Sequence, residues 1–414
     1  MSNMYQRFRE QMSAGGDTVD QAEGEQAKNG RASGIVVAAL LVWLGFSNPW
    51  ILVFVIGLLI SIFLHELGHY VTAKKTGMKV TQFYMGFGPR LWSRKRGELE
   101  YGVRAIPLGA FVRIIGMNNL DECAPVDEHM AYRSKSYPRR LLVITAGSLM
   151  HAVIALVLFT SVYSLAGRLG ETGEVVIVFP PVAQSPAAIA GLREGDVVLS
   201  ADGVPLAVRQ DLVDSITSNQ PGDDLALVIQ RDGVQQSITA ILGANPADAS
   251  IGYLGVATDS AGYVRQSVPA AVVYAVRDSV EAIVGSVQGI PKIFNPVNTF
   301  NNLRAQTADP ESRPSTMVGA SQIGGQIGER DGLKGVLMLL AYVNVFVGVF
   351  NMLPTLPFDG GHAAIATYER LRSRRGVRYQ ADFSKMMPVA TAVVALLIMI
   401  TFAGLYLDIT QPFG

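Results

Sequence analysis

The stretch Ser61-Ile-Phe-Leu-His-Glu-Leu-Gly-His-Tyr70 constrains this chain more than any other. Two histidines stand four residues apart, and a glutamate directly follows the first. On a helix that spacing puts both imidazoles on one face, one turn apart. His65 and His69 can therefore hold one metal ion together. Glu66 then lies beside the ion without being needed as a ligand, the position of a general base in zinc peptidases. Residues 49 to 64 are almost entirely apolar, and the motif continues that run. Ionisable groups at membrane depth are costly and mark functional sites by default. The plainer reading is a pair that snorkels to the interface or bonds to neighbouring helices.

Composition supports the membrane setting. Only 16% of the 414 residues are charged, against about a quarter in soluble proteins, and 49% are hydrophobic. The net charge is zero, which suggests no nucleic-acid partner. The single cysteine, Cys123, excludes an internal disulfide framework and a cysteine-ligated zinc site.

Taken in order, residues 1–33 read as a disordered cytoplasmic tail. Residues 34–166 form a first membrane part. Its apolar run at 34–46 is shorter than the roughly 20 residues a span needs. It is either a short extra span folding back into the next helix, which is the preferred reading, or an interfacial extension of that helix. After the motif span comes a strongly basic region, 73–140, cytoplasmic by the positive-inside tendency. Within it, Met85-Gly-Phe-Gly-Pro89 and Tyr101 to Arg113 suggest a β-hairpin or small sheet, whose edge can pair with an extended strand. The alternative is a cytoplasmic loop with no substrate role. A span over 141–166 carries Ala146-Gly-Ser-Leu-Met-His151. His151 can be a third metal ligand, a polar group facing the site cavity, or a packed histidine bonded to another helix; the second is preferred.

Residues 168–247 change character, with short strand-like runs, a helix at 209–217 and a hairpin turn at Arg231-Asp-Gly233. Between Arg168 and Arg265 there are twelve acidic and five basic residues, which suits the opposite side of the membrane. Residues 248–331 read as a surface helix and a connector; within it Val318-Gly-Ala-Ser-Gln-Ile-Gly324 is either a loop dipping toward the site or a flexible link. Residues 332–410 form the second membrane part. Its first span runs into Asn351-Met-Leu-Pro-Thr-Leu-Pro-Phe-Asp-Gly-Gly-His362. Two prolines free backbone groups there, tolerable at membrane depth only where the backbone is buried or lines a cavity. Asp359 offers a hard oxygen ligand, or an N-cap for the next helix. In this topology the ends bearing His65, His69 and Asp359 meet in the cytoplasmic half.

His65-Glu-Leu-Gly-His69 together with Asn351-Met-Leu-Pro354 and Pro357-Phe-Asp359-Gly-Gly resembles the paired motifs of site-2 proteases, most closely bacterial regulatory members with one PDZ domain, of actinobacterial type. Ser185-Pro-Ala-Ala, Ala190-Gly-Leu and Gly195-Asp196 resemble that PDZ domain. The resemblance implies a polytopic α-helical membrane protein of about four to five spans in the cell membrane, with a membrane-associated β element and an inserted extracytoplasmic α+β PDZ domain. It implies an intramembrane metalloendopeptidase with one Zn2+ on His65, His69 and Asp359, and Glu66 as base. Asn351 matches a substrate-handling asparagine. The implied partners are the lipid bilayer, single-span substrates such as anti-sigma factors, and an upstream site-1-type protease that shortens them first. Where many members have Ala-Gly-Pro followed two residues later by Asn, this chain has Ala146-Gly-Ser-Leu-Met-His151, which puts any role of that Asn in doubt here; His151 offers an extra polar or metal contact and is assigned, with Asn351, to substrate binding. Two other classes remain open. A metal transporter also uses intramembrane His and Asp with broken helices, but has no special need for Glu66. A non-catalytic PDZ scaffold would be expected to have lost one of the four key residues.

Overall fold

The computed structural model describes residues 26–121, 123–373 and 377–413. The expected tail therefore lies outside the described residues as far as 25. Its last part is helical, because α1 runs over Gln26–Ser47. Once the apolar run nucleates a helix, favourable residues such as Gln26, Ala27 and Lys28 extend it, one hydrogen bond per residue. Asn48 then breaks the helix with extended φ/ψ. Its side chain accepts from the Trp50 and Ile51 amides, with Pro49 in the first turn, so α2 starts afresh at Pro49–Lys75. A Cβ on Gly45 would meet Leu52 and one on Gly34 would meet Leu91, so α1 lies folded back beside its neighbours.

Strands β1 (Val80–Arg96) and β2 (Leu99–Ile114) follow. Both bend. Residues 82–85 pair with 100–103 on one side and with 110–113 on the other, while 92–96 pair with 99–103. Two strands thus make a four-segment sheet in the order 90–96, 99–104, 80–87, 106–114. Positive φ at Gly86 (89°) and Gly88 (78°) allows the bend in β1. Helix α3 covers Tyr137–Leu165.

Residues 161–271 form a compact unit of their own. Its elements are β3 (Arg168–Ile177), α4 (Pro186–Ile189), β4 (Val197–Ala201), β5 (Val204–Pro205), α5 (Arg209–Thr217), β6 (Asp224–Arg231), β7 (Val234–Ile241), β8 (Gly243–Ala244), β9 (Gly252–Tyr253) and β10 (Thr258–Val264). The main sheet is antiparallel in the order β10-β3-β4-β6-β7. Leu225, Leu227 and Ile229 alternate inward along β6 and meet Val175, Ile177 and Leu212 in the core. The hairpin turn falls at Asp232-Gly233 as expected, both with positive φ. The unit extends beyond the expected 168–247, because β10 closes the sheet against β3. Asp196 is buried and takes a bidentate pair from Arg231 (2.7 Å each) and the Arg193 amide (2.8 Å). Burial pushes its carboxyl up, but these bonds outweigh that and hold it below the ordinary range. A depressed carboxyl stabilises above its unfolded value of about 3.9 and loses that contribution as pH falls through the folded value. Asp196→Asn is therefore expected to cost about 1–3 kcal/mol near neutral pH, the range for lost hydrogen bonds to a charged group, since the partly exposed Arg231 keeps its bond to the Gly191 carbonyl. The gap to wild type should close as pH drops below about 4, read by hydrogen exchange of β6 in the full chain.

The chain returns with α6 (Val268–Ile293), α7 (Pro296–Arg304), α8 (Met317–Asn351), α9 (Asp359–Arg372) and α10 (Met387–Thr410). Among the described residues four helices, α2, α3, α8 and α10, are long and apolar enough to cross a membrane. Helix α8 is kinked at Gly332 (φ 65°, ψ −152°), where the span was expected to begin. Residues 318–324, read from sequence as a dipping loop or a flexible link, are instead helical. Glycine there and just beyond permits close helix contact rather than flexibility: a Cβ on Gly324, Gly325 or Gly328 would strike Phe54, Ile51 or Trp50 of α2. Arg374 and Arg375 of the basic run lie outside the described residues.

Candidate metal centre

Phe54, Leu58, Ser61, His65, Gly68 and His69 are the buried stripe of α2, recurring at three- and four-residue steps. The motif thus faces inward by the same periodicity that packs the helix. Gly68 lets α3 approach, since a Cβ there would lie 2.9 Å from the Ala146 carbonyl. That approach brings His69 Nδ1 to 2.7 Å from the Val143 carbonyl. A carbonyl only accepts, so Nδ1 carries the proton and Nε2 keeps its lone pair, the state a metal ligand requires.

Asp359 arrives from the other half of the chain. Pro354 and Pro357 interrupt the path after α8, and Asp359 opens α9 as its first helical residue; Phe358 holds the N-cap position. A Cβ on Gly360 would strike the Met352 backbone and one on Gly361 the Thr355 backbone, so the Gly-Gly pair lets the turn fold tightly onto α9. Asp359 Oδ2 then stands 3.5 Å from His65 Nε2 and 3.3 Å from His69 Nε2, and the two Nε2 atoms are 3.2 Å apart. Three donors about 2.0–2.1 Å from one tetrahedral ion sit about 3.3 Å from each other. Asp359 Oδ2 is buried and has no hydrogen-bond partner among the described residues. The triangle opens toward Gly147, where a Cβ would lie 2.6 Å from His65 Nε2 and closer still to His69 Nε2. The donor set and the space fit a metal ion. Among the described residues these three are the group able to hold one.

Glu66, one residue past His65, points about 100° around the helix from it. It stands beside His69 and Asp359, with the Val112 backbone of β2 within hydrogen-bonding reach. His151 is buried with its ring 4.9 Å from that of His65. It is not in the ligand group, and its Nδ1 lies 2.7 Å from Asn344 Oδ1. The Asn344 amide donates to Ser61 Oγ (3.0 Å) and the Leu340 carbonyl (2.7 Å), so its oxygen accepts and His151 Nδ1 donates. The bonded-to-a-neighbouring-helix reading of His151 is the one its Nδ1 realises. Asn351 ends α8, and its side chain takes no hydrogen bond among the described residues.

Asn344 is the residue that sequence reasoning missed, although a fully buried amide within an apolar span is itself a signal. It ties α2, α3 and α8 together beside the donors. Asn344→Leu is expected to cost about 1–2 kcal/mol, read as a lower melting temperature of the detergent-solubilised protein. Ala73, Val80, Ile114, Val143 and Ala363 from α2, both strands, α3 and α9 form one apolar core together with Tyr132 from the turn before α3.

A His–His–carboxylate cradle with a second carboxylate beside it, carried on helices able to cross a membrane, defines the intramembrane metalloproteases. The family model of peptidase family M50 matches residues 53–395. Zinc metalloprotease Rip1 of Mycobacterium tuberculosis is 32% identical over 401 residues, covering 87% of this chain and 97% of the relative. Rip1 of Mycolicibacterium smegmatis is 30% identical over 87% of this chain and 97% of its own length. A putative zinc metalloprotease of Nostoc sp. is 30% identical over 77% and 85%. A PDZ domain of an SdrC-like protein from Listeria monocytogenes is 20% identical, covering 22% of this chain and 92% of its own, with TM-score 0.19. The chain belongs to peptidase family M50, and it is a metalloprotease of the site-2 type.

Proposed function

We propose that His65, His69 and Asp359 hold one zinc ion and that Glu66 is the general base for cleavage of peptide bonds within membrane segments. The observation that carries this is the triangle of donor atoms, 3.2, 3.3 and 3.5 Å on its edges. When bound, zinc supplies Lewis acidity, lowering the pKa of water and polarising a carbonyl. The Glu66 carboxylate takes the proton from the attacking water and returns it to the leaving amine nitrogen. Val143 holds His69 in the ligating tautomer, and the Asn344 bond to His151 keeps that ring against His65. We assign Asn351 to substrate handling on the motif resemblance alone.

A helical substrate must unwind before its carbonyls can be reached. Among the described residues segment 106–114 has one side of its backbone unpaired, and it passes Glu66 at Val112, so an extended substrate strand can add there. Segment 99–103 is paired on both sides and is interior to the sheet. Prolines at 110–113 are therefore expected to lower cleavage at least tenfold, and prolines on the opposite edge, 92–96, to have little effect, measured with one single-span substrate.

The substrates proposed are single-span proteins such as anti-sigma factors, shortened beforehand by a site-1-type protease. Unit 161–271 is proposed as an extracytoplasmic PDZ domain, on its acidic balance and the Ser185 to Asp196 motifs; the site then lies in the cytoplasmic half of the cell membrane. The test uses purified protein in detergent with a tagged single-span substrate, intact or truncated outside its span. Cleavage of the truncated form alone, abolished by a chelator and restored by zinc, is expected. Zinc-loaded protein that cuts neither form would overturn the reading in favour of metal transport or a scaffold.

A further inference from the structure

A cavity of about 560 Å³ opens at the Tyr137 end of α3, away from the three donors. Its walls carry Tyr137, Arg140, Glu369, Arg370, Arg378 and Tyr379. Three arginines line it against one glutamate. That carboxylate is already committed: Glu369 Oε2 pairs with Arg140 Nη2 at 2.6 Å, and Oε1 accepts from the Ala381 amide at 2.7 Å. Arg378 donates to the carbonyls of Ser134 and Lys135. Neither Arg370 nor Arg378 has a carboxylate partner among the described residues.

We propose that this cavity binds a phosphate-bearing anion, with the guanidiniums of Arg370 and Arg378 as its recognition groups. Burial and the neighbouring Arg140 pull Arg378 below its ordinary value. Arginine does not give up its proton in proteins, so an anion is what balances the charge that Arg370 and Arg378 bring to one cavity without carboxylates of their own. The planar fork matches phosphate oxygens in pairs. Arg140 is held in place by Glu369 and by the Tyr132 ring, 4.9 Å below its guanidinium, so one wall of the site is rigid. The cavity sits where an apolar helix begins, with Tyr137 and Tyr379 in its walls, the level at which headgroups and aromatic belts meet. Pro138, Ala366 and Val377 add apolar wall beside the charges, which suits the glycerol end of a lipid. The shared chemistry is phosphate, from an anionic phospholipid headgroup or free in solution.

The experiment measures the melting temperature of the full chain in detergent on titration with short-chain phosphatidylglycerol, short-chain phosphatidylcholine, or inorganic phosphate. Phosphatidylglycerol is expected to raise it saturably, and Arg370→Gln/Arg378→Gln to weaken that binding at least tenfold, while Arg277→Gln on α6 leaves it unchanged. Should the double variant not fold, Arg370→Gln alone carries the test, since its guanidinium makes no ion pair among the described residues. An equal response to inorganic phosphate identifies the free anion as sufficient; a response to phosphatidylglycerol only identifies the headgroup. An equal response to phosphatidylcholine, persistence in the variants, or no response to either anion overturns the site.

Discussion

Glu66→Gln is expected to lower kcat by about 10²–10⁴ while leaving one metal ion per chain. The substitution keeps the size and the hydrogen-bonding reach of the side chain but removes its ability to take a proton. The three proposed donors are other residues, His65, His69 and Asp359, so the group able to hold an ion is left intact. Metal quantification beside single-turnover cleavage separates the two effects. Because a base acts in the transition state, kcat and kcat/KM should fall together with KM little changed. Loss of metal in the variant would make Glu66 part of the cradle instead, and undiminished cleavage would remove it from the chemistry.

Gly147→Ala is expected to reduce metal affinity by about a hundredfold or more, the upper end of what disturbing a ligand's surroundings does. The added methyl would meet three atoms at once: His65 Cε1, His65 Nε2 and His69 Nε2, all under 3.0 Å. These are ring atoms locked by packing, and His69 is fixed further by Val143, so they have little room to yield. Ser148→Ala, one residue on, is the control for general disturbance of α3. Metal titration of both variants decides the matter. Full metal loading of Gly147→Ala would mean that α2 and α3 separate freely and that the donor triangle is not held by their contact.

Much of this was legible in the sequence. His65, Glu66 and His69 announce a site because ionisable groups inside an apolar run have few other uses. The four long apolar helices follow from composition alone. The prolines and glycines around Asp359 mark the turn that delivers it, although the sequence cannot tell an N-cap from a first helical residue. What stayed hidden depends on partners far away. Gly324, Gly325 and Gly328 looked like loop residues because glycine signals both flexibility and close packing, and only Trp50, Ile51 and Phe54 decide which. Strand β10 is short and mixed in polarity, and it becomes a strand by meeting β3. His151 offered three roles until Asn344 fixed one ring nitrogen. The Arg140–Glu369 pair joins residues 229 apart, beyond any local pattern.

The donors come from opposite sides of the inserted unit, and Asp359 follows His69 by 290 residues. A ribosome therefore completes the proposed base and both imidazoles long before the third proposed donor exists. Through that interval the growing chain lacks a complete metal clamp, and a product ending anywhere before residue 359 lacks it permanently. The order of synthesis acts as a safeguard, keeping an intramembrane cutting activity switched off until the chain has been made past residue 359.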